Sequence, residues 1–264
     1  MTLHVAIIGG GLAGPCLAHG LRRAGFGVSL YERDADRGQG YRIHLAPEGD
    51  QALRDCLPDH LYRLVHDTAG IPGSGVTVFD GELNVLNRIA GGGGLSVDRQ
   101  TFRAILTTDL DDVLHQGAEF TRYEELPDGR VRAHFADGSA ADADLLVGAD
   151  GATSRVRRQL LPHARVDDLG IALVVGKARL TPEVRAVVPP QSLDGFSTVV
   201  GSGGRFMPLA GHQFRNRPAE YGLPDVPDYV MWALGLPGDV SGLDGAGLLD
   251  LALDRTSNWH PGLH

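Results

Sequence analysis

The 264-residue sequence predicts an α/β fold in which a parallel sheet with a β-meander is interleaved with a mostly antiparallel α+β layer. Three features predict it. The apolar, largely β-branched run Leu3-His4-Val5-Ala6-Ile7-Ile8 leads straight into Gly9-Gly10-Gly11 and then into helical periodicity, the order strand, tight turn, helix. A second short apolar strand, Leu145-Leu146-Val147, delivers Gly148-Ala149-Asp150-Gly151 to a sheet edge before a basic helix start at 154–160. Elsewhere, period-two alternation punctuated by Asp-Gly turns marks antiparallel strands.

In the first unit, near-continuous apolar character suits a strand buried on both faces of a parallel sheet. Gly9, Gly11 and Gly14 then fit G-x-G-x-x-G. The first permits the tight turn, the second lets backbone approach a pyrophosphate, and the third lets the helix pack closely on the strand. Leu17, Leu21 and Ala24 recur at helical spacing, Pro15 is tolerable in the first turn, and Gly25 ends the pattern. The next strand, Val28-Ser29-Leu30-Tyr31, ends on Glu32, 18 residues after Gly14, where a carboxylate can accept ribose hydroxyl protons. This is a dinucleotide site. The unit alone does not separate NAD from FAD, since both present a pyrophosphate and an adenosine ribose.

Farther along, 75–79 and 83–89 read as a hairpin about Asp80-Gly81, followed by a flexible glycine return at 91–94. The segment 97–106 is a helix with Phe102, Ile105, Leu106, Leu110 and Val113 on one face and Arg99 in its first turn. From 118 to 147 the chain alternates and turns as an antiparallel meander, and strands follow at 171–175, 196–200, 205–209 and 229–234. The expected division is a discontinuous nucleotide-binding domain, 1–70 and 97–168, with 71–96 and 169–264 forming a substrate layer. His212, Arg205 and Tyr221 are polar candidates in that layer, each expected as a surface or hydrogen-bonding residue because nothing pairs them in sequence.

Composition narrows the partner. A hydrophobic fraction of 42% supports a real core, and a net charge of -9 works against nucleic acid or anionic lipid, which need clustered Lys and Arg. No apolar run approaches the roughly 20 residues needed to cross a bilayer. A cytoplasmic protein acting on a small molecule is expected, with no nucleic-acid or membrane partner. Cys16 and Cys56 form no CxxC pair or disulfide framework and read as small buried side chains. The histidines show no metal-ligand spacing, since Pro261 and Gly262 separate His260 from His264. Neither G-x-S-x-G nor H-E-x-x-H occurs.

The N-terminal glycine unit with Glu32, together with G-A-D-G-x-x-S-x-V-R at 148–157, resembles the flavin-dependent aromatic hydroxylases of the para-hydroxybenzoate hydroxylase type. The resemblance implies a Rossmann-like FAD-binding domain in which Gly9, Gly11, Gly14, Glu32 and Asp150 hold the cofactor. It extends the cofactor-binding set to Arg99, to Arg42 in Gly40-Tyr41-Arg42-Ile43, and to Arg33, although the run Arg33, Asp34, Asp36, Arg37 reads as a solvated loop. It implies a monooxygenase that uses FAD, NAD(P)H and O2 to hydroxylate an aromatic or similarly electron-rich small molecule; no catalytic base is identified. The family's further Gly-Asp followed by Ala-x-His and Pro is not found, because Gly49-Asp50 and Gly238-Asp239 lack those followers. A second reading is therefore a nucleotide-binding module without turnover, which takes the remaining contacts from a partner chain or only senses flavin. A third, an NAD-dependent dehydrogenase, has no use for the 148–157 block.

Overall fold

The computed structural model describes residues 2–34, 40–91 and 93–264. In chain order the elements are β1 (His4–Ile8), α1 (Ala13–Arg23), β2 (Gly27–Glu32), β3 (Arg42–Leu45), α2 (Pro47–Cys56), α3 (Asp59–Asp67), β4 (Gly75–Asp80), β5 (Val85–Ala90), β6 (Leu95–Asp98) and α4 (Arg99–Thr107). There follow β7 (Leu114–Gln116), β8 (Phe120–Glu125), β9 (Val131–Phe135), β10 (Ala140–Ala143), β11 (Leu145–Gly148) and α5 (Arg155–Leu160). The last part contains β12 (Ile171–Arg179), α6 (Pro182–Val187), α7 (Pro190–Leu193), β13 (Phe196–Val200), β14 (Phe206–His212), β15 (Tyr229–Pro237) and α8 (Gly245–Thr256).

The chain divides into two compact units, Met1–Gln39, Glu48–His66 and Gln100–Val166 against Gly40–Pro47, Asp67–Arg99 and Asp167–His264. This division differs from the expected boundaries at 40–47, 67–70, 97–99 and 167–168. Pairing accounts for most of it: β3 lies antiparallel to β6, Arg42 opposite Asp98, so both strands go with the second unit, and Gly70 bridges to Phe214 there.

The first unit carries a parallel sheet in the order β11-β1-β2-β7 and an antiparallel sheet β10-β9-β8, the expected meander. Val5, Ile7, Val28 and Leu30 bury the sheet against α1 through Ala18. Full burial of such side chains stabilises the fold by about 1.5–3 kcal/mol each. Phe120, Ala133 and Phe135 form a second core with Ile8 and Val156.

Helix α4 stops short of the expected face. It ends at Thr107, the hydroxyls of Thr107 and Thr108 bond back to the Ala104 carbonyl, and Asp109 takes a left-handed φ of 62°. Leu110 is nonetheless fully buried, in the turn that follows. The two cysteines, distant in sequence, come together half-buried in this unit, and burial with the Cys56 neighbour pushes the Cys16 thiol up to about 12.

The second unit is built on a six-stranded sheet, β12-β15-β14-β13-β4-β5, antiparallel except where β13 runs parallel to β4. Its core joins Phe79, Val174, Val199, Met207, Leu209 and Leu234 to Ala252 of α8 and to Trp259. β5 starts at Val85, later than expected, because the Asp80 carboxylate accepts from the Glu82 and Asn84 amides and lengthens the turn. Of the glycine return and the charge run, Gly92, Asp36 and Arg37 lie outside the described residues. Among the described residues, no helix is long and apolar enough to cross a membrane.

Candidate cofactor and ligand sites

Strand order reverses at β1, which has β2 on one side and β11 on the other, and ligands of open α/β sheets bind beyond the C-terminal ends of strands at such a point. Both sequence motifs converge there. Gly9 follows β1 with φ 115°, and a Cβ on it would collide with the Ala149 carbonyl that follows β11. A Cβ on Gly14 would collide with the Gly9 carbonyl, so α1 packs onto the turn only through glycine. A Cβ on Gly11 meets nothing within 4 Å. The turn is closed on its sheet side and open where a ligand backbone could approach.

Helix α1 begins at Ala13 with Leu12 as its N-cap residue and no side-chain cap, so its first turn offers the Ala13 and Gly14 amides to an anion, Pro15 having no N–H. Glu32, 4% exposed at the end of β2, accepts from the Gly10 amide at 2.6 Å through Oε2 and from the Asp34 amide at 2.8 Å through Oε1. Its carboxylate thus fastens the glycine turn to the second strand, a role beyond the expected ribose contact. Arg33 is exposed and pairs with Asp34 at 3.2 Å.

Asp150 serves its own loop. Its Oδ1 accepts from Ser154 Oγ at 2.5 Å and its Oδ2 from the Arg155 amide at 2.7 Å, while Ser154 Oγ accepts from the Arg157 amide. The two side chains cap α5 and fix the Asp-Gly segment to the start of that helix. Sequence reasoning missed Arg103, whose Nε donates to the Gly10 carbonyl at 2.9 Å from the second turn of α4. Its one signal is the spacing of four from Arg99.

Arg42 and Arg99 belong to the second unit. Arg99 opens α4 with its guanidinium 5.8 Å from the Tyr41 ring centroid, and its amide donates to the Tyr41 carbonyl. Arg42 lines a cavity of about 500 Å³ together with His44, Val76, Ser96 and Phe196. Its Nε is buried without a hydrogen-bond partner, and burial lowers the guanidinium pKa.

A buried polar cluster stands in the same unit. The Asp98 side chain is 0% exposed, accepts from the Tyr229 hydroxyl at 2.9 Å and pairs with Lys177 at 3.3 Å, and the Lys177 ammonium lies 4.4 Å from the Tyr229 ring centroid. Burial and the Asp98 charge push the Tyr229 phenol well above its usual range, so it remains a donor. His212 is fully buried, 3.1 Å from Ser96 Oγ through Nδ1, edge-on to Phe214 and stacked near Tyr229. Burial pushes its pKa down to about 4, which keeps the ring neutral. Of the three polar candidates, only His212 enters this cluster; Arg205 bonds to the Ser202 and Arg255 carbonyls, and Tyr221 is exposed.

Residues 7–61 match the NAD(P)-binding Rossmann-like domain family. The chain is 33% identical over 299 residues to the dual O-methyltransferase/FAD-dependent monooxygenase CTB3 of Cercospora nicotianae, covering 98% of this chain and 34% of that protein. It is 36% identical over 174 residues to the 6-hydroxynicotinate 3-monooxygenase of Bordetella bronchiseptica, covering 60% of this chain and 43% of that protein. A crystal structure named for an FAD-containing monooxygenase from Photorhabdus luminescens subsp. laumondii superposes with a TM-score of 0.85 at 30% identity, covering 100% of this chain and 72% of that one. The chain spans about a third to a half of the length of these two curated relatives.

Proposed function

Because the chain belongs to the FAD-dependent monooxygenase family, we propose that it forms the FAD-holding and substrate-holding part of an enzyme that hydroxylates an aromatic or similarly electron-rich small molecule with NAD(P)H and O2. The observation that carries this reading is the junction of the glycine turn with Glu32 at the point where the parallel sheet reverses its strand order. The residues there fit the cofactor. Gly11 leaves open space, the uncapped start of α1 offers amides to a pyrophosphate, and Glu32 supplies a carboxylate for the adenosine ribose. A carboxylate has about four acceptor sites, so the group that holds the turn can also take ribose hydroxyls.

FAD, when bound, supplies the redox chemistry that passes reducing equivalents from NAD(P)H to O2 for oxygen insertion. The protein's own residues bind and orient. Arg103 and Asp150 keep the turn and the Asp-Gly loop in place around the pyrophosphate position. In the second unit, the cavity lined by Arg42, Ser96 and Phe196 receives the substrate, within the usual range of about 300–1,000 Å³ for small-molecule sites. The named activity of the Bordetella relative, on a hydroxylated heteroaromatic, is in keeping with such a substrate.

The test is to denature the purified protein and identify the released ligand by absorbance and mass. Released FAD supports the proposal. Released NAD without flavin contradicts it and indicates a dehydrogenase.

A further inference from the structure

Resting on that reading of the second unit, we infer that Ser96 and Arg42 form a two-donor seat for an ionised oxygen of the substrate, and that His212 is a positioning residue that turns the Ser96 proton toward the cavity. Both seat residues line the same cavity. The argument begins behind it, at His212.

The His212 ring is fully buried and held on two sides, edge-on to Phe214 and stacked near Tyr229. Its Nδ1 lies 3.1 Å from Ser96 Oγ, and its Nε2 has no hydrogen-bond partner. A neutral imidazole carries one proton. Leaving a buried N–H without an acceptor is rarer and more costly than leaving a lone pair without a donor, so the proton sits on Nδ1. Nδ1 then donates to Ser96 Oγ, and the Ser96 hydroxyl must send its own proton elsewhere. Ser96 is 8% exposed and its remaining side opens on the cavity. It becomes a donor to whatever lies there.

Charge reinforces the assignment. The titratable groups around the Ser96–His212 pair are Asp98, Arg42 and Lys177, together with Tyr229 stacked on the His212 ring and His44 opposite Ser96 in the β3–β6 pair. Lys177 is matched by Asp98, which also takes the Tyr229 hydroxyl. Arg42, by contrast, forms no ion pair among the described residues, and its buried Nε has no acceptor. A guanidinium whose Nε is buried without an acceptor, lining the same cavity as a hydroxyl donor, suits an anionic oxygen that accepts from both. Apart from His44, the rest of the wall, Val76, Phe196, Pro72 and several glycines, offers apolar surface for the ring that bears it. The ligand class is an aromatic phenolate or carboxylate.

Gly70 is part of the device. A Cβ there would stand 3.1 Å from both the His212 ring and Ser96 Oγ, tighter than ordinary packing, so glycine lets the pair close.

The test uses the purified full chain with 4-nitrophenol and benzoate as ionised probes and 4-nitroanisole and benzamide as their neutral counterparts. Calorimetry reads affinity, and the absorbance of 4-nitrophenolate reads ionisation on binding. At least one ionised probe is expected to bind about tenfold or more tightly than its counterpart, and Ser96→Ala and Arg42→Gln are each expected to cost it about tenfold. A preference confined to 4-nitrophenol assigns the seat to a phenolate, one confined to benzoate to a carboxylate, and either supports it. Absence of binding by every probe, equal affinity for charged and neutral probes, or wild-type affinity in Ser96→Ala overturns it. Ser96→Thr, which keeps the hydroxyl, restores affinity and guards against mere loss of fold.

For His212, nitrogen-15 NMR is expected to find the proton on Nδ1, and the opposite tautomer overturns the positioning role. His212→Asn, whose amide can donate to Ser96, is expected to retain probe affinity where His212→Leu loses it. FAD titration of the same samples separates the two claims. Lost flavin binding with probe discrimination intact contradicts the proposed function alone, and the reverse overturns the seat alone.

Discussion

The Gly10 amide donates to Glu32 Oε2 at 2.6 Å, so one buried carboxylate ties the glycine turn after β1 to the end of β2. The contact makes Glu32 a scaffold for the turn, and the proposed function gives the same carboxylate the ribose. Glu32→Ala is therefore expected to weaken FAD binding by tenfold or more, the loss of a charge-assisted hydrogen bond worth about 1.5–3 kcal/mol, and Glu32→Gln to weaken it less. Flavin fluorescence titration measures both. Unchanged curves in both variants would remove Glu32 from the site.

Arg103 reaches the other side of that turn, donating to the Gly10 carbonyl at 2.9 Å. Arg103→Leu leaves this carbonyl without its donor and loosens the loop that faces the cofactor. About a tenfold loss of FAD affinity is expected, in line with a hydrogen bond to a charged group. Affinity equal to wild type would reduce Arg103 to a bystander.

Lys177 is the chain's single lysine and pairs with Asp98, whose side chain is 0% exposed. Removing the ammonium deprives a buried carboxylate of the cation 3.3 Å away. Lys177→Met is expected to destabilise the protein by about 3 kcal/mol. Urea unfolding checks this, and a double variant with Asp98→Asn should recover part of the loss, since it removes the buried charge.

His212 predicts a pH dependence. Its pKa falls from the ordinary 6.5 to about 4 in the folded protein. Between those values the unfolded chain binds a proton that the native ring does not, so its contribution is complete above about pH 6.5 and is lost as pH falls, levelling below about pH 4. Between about pH 7.5 and about pH 5 the loss is on the order of 2 kcal/mol. Urea midpoints of wild type and His212→Asn at both pH values isolate this contribution from that of the carboxylates. Parallel shifts in the two proteins would refute it.

What could be read from the sequence follows from how local each determinant is. Gly9 and Gly14 announce themselves because the backbone there tolerates no Cβ, and Glu32 is legible because strand length fixes its distance from the turn. The meander is legible through period-two alternation and Asp-Gly turns, which act over a few residues. The buried cluster is not. Asp98, Lys177, His212 and Tyr229 come from β6, β12, β14 and β15 and meet only once the strands pair. Its faint trace is one lysine that follows the apolar run 171–175 of β12. Asp150 illustrates the converse: the motif is plain in sequence, but that its carboxylate also accepts from Ser154 and the Arg155 amide at the start of α5 is something a motif cannot disclose.

The central claim is that the glycine turn and Glu32 hold the ADP half of FAD. Calorimetric titration of the purified, ligand-stripped chain with FAD, repeated in the presence of ADP and separately of riboflavin, addresses it most directly. The account predicts saturable binding of one FAD per chain, competed by ADP and scarcely affected by riboflavin. FAD that fails to bind, or that binds and is displaced by riboflavin but not by ADP, would contradict it.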